Sequence, residues 1–78
     1  MASRCKEKYG QEWSEGLTQT TLKYFDSCPS GFVKRINREH GIARVVGAQI
    51  QVANPDSGKI IGTYVSAQDL VDDGWAVD

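Results

Sequence analysis

At 78 residues, 40% of them hydrophobic and 24% charged, the chain has room for one small core, which excludes wholesale disorder and points to a single domain over residues 1–78. No apolar run approaches the ~20 residues that cross a bilayer, and the basic start Met1 to Lys8 leads into no apolar segment, so no membrane contact or secretory signal is expected and the protein is predicted to be cytoplasmic. The net charge of −1 hides an asymmetry: residues 1–33 sum to zero, residues 34–44 to +3 and residues 45–78 to −4, which fits a charged binding surface or two halves of one domain attracting each other.

Residues 1–8 are expected to fray. Beyond them Tyr9, Trp13, Leu17, Thr20 and Tyr24 recur at spacings of 4, 4, 3 and 4, one stripe of a helix predicted over Gln11 to Phe25. Gly16 and the β-branched Thr18, Thr20 and Thr21 weaken helix propensity there. A strand over Leu17 to Phe25 fits worse, because neither alternating face is cleanly apolar.

Asp26 to Gly31 is dense in turn formers and should end that helix, with Ser30 placed to cap a second. In this second helix, predicted over Gly31 to His40, Phe32, Val33 and Ile36 make the apolar face. Lys34, Arg35, Asn37, Arg38 and Glu39 point elsewhere, and Gly41 supplies a left-handed stop.

From Ala43 the period falls to two, with Val46, Ala48, Ile50 and Val52 on one face and Gln49 and Gln51 on the other, as in a half-buried strand. Asn54 to Gly58 fits a tight turn, with Pro55 setting φ and Gly58 free to take a positive value. Lys59 to Val65 then returns as the partner strand. Ser66 to Asp69 has the form of a capping box for a short helix through Leu70 and Val71, stopped at Gly74, after which Trp75 and Val77 fold back onto the core.

Catalytic chemistry finds little support in these residues. Cys5 and Cys28 belong to no Cys-x-x-Cys pair and have no neighbouring histidine, so both are read as reduced thiols. His40, the one histidine, suits the C-terminal dipole of a helix better than a catalytic role, and a Cys28–His40 dyad lacks a third orienting group. Asp69, Asp72 and Asp73 match no calcium loop and are read as a solvated face, while the scattered glycines form no phosphate-binding loop. No enzyme activity, metal or cofactor is expected.

The basic segment remains. Lys34, Arg35, Asn37 and Arg38, with Arg44 just beyond, are the candidate contact residues for a partner or for nucleic acid. The order helix, turn, basic helix, hairpin is similar to a winged helix-turn-helix, which implies a reader helix over 31–40 and a wing tip over Asn54 to Lys59. Against it stand the slightly negative total charge and a wing in which Asp56 opposes Lys59.

The expected fold is α+β: two N-terminal helices, an antiparallel β-hairpin with room for a third strand, and a short C-terminal helix. Val46, Ile50, Ile61 and Val65 of the hairpin are expected to pack against Trp13, Leu17, Phe32 and Ile36. The expected function is that of a small accessory or regulatory module that binds a larger protein, as a mobile-element or host-directed inhibitor or as a subunit of a complex. DNA or RNA binding through the basic helix is the alternative.

Overall fold

The computed structural model describes residues 4–78, with side chains from Lys6 onward; the Cys5 thiol lies outside the described part. Two helices, α1 (Arg4–Tyr9) and α2 (Glu15–Ser27), precede four strands, β1 (Ser30–Arg35), β2 (His40–Val46), β3 (Gln49–Ala53) and β4 (Ile60–Tyr64). Helix α3 (Ala67–Asp72) and strand β5 (Trp75–Val77) complete the order. The strands form one five-stranded antiparallel sheet in the order β4-β3-β2-β1-β5. This overturns the expected two N-terminal helices followed by a hairpin. Strands dominate, and among the described helices only α2, with 13 residues, is longer than six. No helix among the described residues is long and apolar enough to cross a membrane.

The helix expected over Gly31 to His40 is strand β1 and the turn that follows it. Phe32, Val33 and Ile36 satisfy the spacing of one helical face, yet in the structure adjacent residues diverge: Val33 is buried and Phe32 is exposed. β1 is bonded on both sides. Phe32 pairs with Ile42 and Lys34 with His40 across β2, while Val33 pairs with Val77 and Arg35 with Trp75 across β5. A position between two strands satisfies backbone donors and acceptors on both sides of the second half of β1, an outcome that weak local helix propensity does not resist. His40 accordingly begins a strand and caps no helix.

The single strand expected from Ala43 is two strands folded about Gly47 and Ala48. Val46 pairs with Gln49, so the connection has two residues, and such tight hairpins demand positive φ in the loop. Gly47 meets that demand at φ 61°. The turn also changes which residues face inward: Ile50 and Val52 are buried, whereas Val46 and Ala48 are exposed.

Local signals hold elsewhere. Ser14 caps α2, its hydroxyl oxygen accepting from the Leu17 amide at 3.3 Å, so the helix begins four residues later than expected. Asn54 Oδ1 accepts from the amides of Asp56 and Ser57 and shapes the turn into β4, where Gly58 has φ 74°. Ser66 caps α3 by accepting from the Asp69 amide at 3.2 Å.

Helices α2 and α3 cover one face of the sheet. Leu70 and Val71 of α3 and Thr21 of α2 are buried with Val33, Ala43, Ile50, Val52 and Trp75. The buried Thr21 hydroxyl donates to the Leu17 carbonyl at 2.8 Å and accepts from the Val77 amide at 3.1 Å, which ties α2 to the last strand. Of the packing partners expected from sequence, Ile50 is in the core, Trp13, Leu17 and Ile36 are half-buried, and Val46, Ile61, Val65 and Phe32 are exposed. The opposite face of the sheet carries no helix among the described residues.

Candidate interaction surface

The candidate contact residues do not share one face, because a strand sends neighbouring side chains to opposite sides where a helix would have grouped them. Arg35 lies on the helix side. Its Nη2 donates to Asp73 Oδ2 at 2.5 Å, its Nε to the Asp73 carbonyl at 3.1 Å, and its Nη1 reaches Glu39 at 3.4 Å. The guanidinium also sits 5.0 Å from the centre of the Trp75 ring. Lys34 points to the other side, 3.7 Å from Asp78 and 5.4 Å from the Trp13 ring centre. Asn37 donates to Glu39 at 2.6 Å, and Arg38 occupies the turn with φ 76°. Arg44 is exposed in the middle of β2. The basic segment is thus spread over two faces and a turn, and half of it is engaged internally.

Asp73, expected on a solvated face, is the hub of a polar cluster. It also accepts from Lys8 Nζ at 2.6 Å and from the Tyr64 hydroxyl at 2.5 Å, and Tyr64 in turn accepts from Trp75 Nε1 at 3.0 Å. Burial would raise the Asp73 carboxyl, but the hydrogen bonds from Lys8 and Tyr64 and the charges of Arg35 and Lys8 outweigh it and hold the group below its ordinary value. Burial, reinforced by the bond to Asp73, pushes the Tyr64 hydroxyl up to about 12. Each of these groups is committed to another member of the cluster, which joins α1, β1, β4, β5 and the end of α3.

Cys28 is a half-buried free thiol just before β1, whereas His40 pairs with Lys34 near the far end of that strand. At ~3.3 Å of rise per residue this separates them by roughly 20 Å, so no dyad forms. Among the described residues no three His, Cys, Asp or Glu side chains converge on a metal position.

What the fold leaves available is the uncovered sheet face and one of its edges. Phe32 is 67% exposed and Ile60 54%, and Val46 and Ile61 are exposed beside them. A depression of about 240 Å³ between β2, β3 and the β3–β4 turn is lined by Ile42, Arg44, Gln51, Ala53 and Ile60. β4 is the outermost strand, and from Ile60 to Tyr64 it contains no charged residue and no proline. The Asn54 amide donates to the Lys59 carbonyl at 2.8 Å, which fixes the phase of the ladder. Ile50 and Val52 therefore face β4 and pair with Tyr64 and Gly62, and alternation turns the amide and carbonyl of Thr63 away from β3, with no strand beyond it among the described residues; at Ile61 the ladder is interrupted by a register shift between Val52 and Ala53.

Beside the free edge, on the helix side, lies a groove of about 570 Å³ lined by Thr63, Tyr64, Val65, Asp69, Asp72 and Glu7, with Lys8 and Asp73. Val65 at its rim is 69% exposed. The sequence pattern assigns Ile61 and Val65 to the core and marks no residue of this strand as a contact, whereas both are exposed. The signal that could have found them is the uncharged run Ile60 to Val65, since strand edges are ordinarily guarded by lysine or proline. No protein-family model matches the chain, and comparison with curated proteins and with solved structures finds no significant similarity.

Proposed function

We propose that this domain is a non-enzymatic recognition module that takes an extended segment of a larger protein as a sixth strand beside β4. The observation that carries this reading is the unguarded edge: Thr63 presents its backbone donor and acceptor outward in a strand without charge or proline, flanked by the exposed Ile60 and Val65. Strand addition draws its affinity from such main-chain bonds and its specificity from side-chain pockets on alternate positions. The opposite edge, β5, has only three residues and suits this mode less. The nucleic-acid alternative lacks its basic helix, because the segment forms strand β1 and a turn that send Lys34 and Arg35 to opposite faces, and Arg35 is engaged by Asp73.

The test is affinity capture from a lysate of the native source, with wild type beside Thr63→Pro. Proline removes an amide that no strand among the described residues uses and closes the edge. A protein retained by wild type and lost with the folded variant is the expected result. Equal capture by both, or recovery of nucleic acid instead, overturns the proposal.

A further inference from the structure

The groove beside β4 carries a charge that the rest of the cluster does not neutralise. Lys8 and Arg35 are both committed to Asp73. Among the described residues Glu7, Asp69 and Asp72 have no cation within salt-bridge distance, although Asp72 accepts from Gln68 at 3.0 Å. These three carboxylates line the same groove as Thr63, Tyr64 and Val65 of the free edge. A strand laid beside β4 sends alternate side chains to opposite faces. Those on the helix side enter this groove, and those on the other side lie along the exposed Ile60 and Ile61.

Resting on the strand-addition reading, we infer that the segment taken up by β4 alternates basic with apolar residues, the basic side chains entering the groove of Glu7, Asp69 and Asp72. Long cationic side chains suit the site on two counts. Their stems cover the apolar parts of Tyr64 and Val65, and their heads reach the carboxylates at the rim. A second copy of this chain fits worse, because β4 contains no basic residue between Ile60 and Tyr64 and would leave all three carboxylates unpaired.

The experiment uses the whole chain and short capped peptides of alternating valine and lysine, with glutamine or glutamate replacing lysine in the controls. Binding is followed by fluorescence anisotropy and by amide exchange at Thr63. The lysine peptide should slow exchange at this amide and bind about tenfold tighter than the glutamine peptide, a factor that two or three exposed charge pairs can supply. The preference should shrink in the triple variant E7Q/D69N/D72N and in high salt. Equal binding of all three peptides with the edge amide protected would overturn the charge inference and leave strand addition standing. No binding by any peptide, with unchanged exchange at Thr63, would overturn both. Sedimentation showing self-association, abolished by Thr63→Pro, would assign the edge to a second copy and likewise overturn the inference.

Discussion

Arg35 holds Asp73 at two points, donating from Nη2 to the carboxylate at 2.5 Å and from Nε to the backbone carbonyl at 3.1 Å. The pair joins β1 to the end of α3 and stacks the guanidinium on Trp75. Because the Asp73 carboxyl lies below its ordinary value in the folded state, its stabilisation is complete above the unfolded value of ~3.9 and is lost as pH falls through the folded one. Asp73→Asn should cost about 1–2 kcal/mol at neutral pH, solvent screening at this partly open site keeping it modest. It should also flatten the acid limb of a plot of urea midpoint against pH.

Tyr64 titrates in the opposite sense. Its hydroxyl is raised to about 12 by burial and the bond to Asp73, so the associated stability is complete below the ordinary tyrosine value of ~10 and is lost as pH rises from there toward 12. Thermal melts of wild type and Tyr64→Phe across that window should show a shallower alkaline decline in the variant.

Thr21 is the one buried polar side chain in the described core, and its hydroxyl accepts from the Val77 amide. Thr21→Val keeps the shape but strands that amide without a partner, at a cost of about 1–3 kcal/mol. Thr21→Ser retains the acceptor and should lose less. Urea denaturation of the two variants distinguishes a lost hydrogen bond from lost packing.

The two faces of the sheet should respond differently to polar substitution. Ile50, 6% exposed and packed in the core, should not tolerate aspartate, and Ile50→Asp should abolish cooperative unfolding. Phe32→Ser, on the uncovered face, should stay within about 0.5 kcal/mol of wild type. A large loss of stability in Phe32→Ser would mean that the face is covered in the folded protein.

Gly47 sets the register of the β2–β3 hairpin through its φ of 61°. Gly47→Val places a β-branched residue in the left-handed region, where even an ordinary side chain costs about 1–2 kcal/mol. The midpoint of unfolding should fall accordingly. Gly47→Asn, which tolerates that conformation, should recover most of the loss.

Where a few neighbouring residues decide, the sequence alone was sufficient. The Asn54 to Gly58 turn and the Ser66 cap of α3 follow from side chains that bond their own backbone within three residues, and the helical nature of α2 from an apolar stripe repeating every three or four residues. The segment around Phe32 was decided otherwise. Its apolar spacing suits a helix, but β1 forms because Ile42 and Val77, ten and forty-five positions further along the chain, bring strands to both of its sides. The placement of the charged residues followed from that choice, since a strand separates Lys34 from Arg35 where a helix would have aligned them. That β4 is an edge, and that its flank meets the acidic end of α3, was likewise settled only when β5 crossed the sheet to pair with β1 at the other side. A strand's own residues encode its tendency to extend. Which neighbour it receives, and which of its faces is covered, is set by the whole chain packing at once.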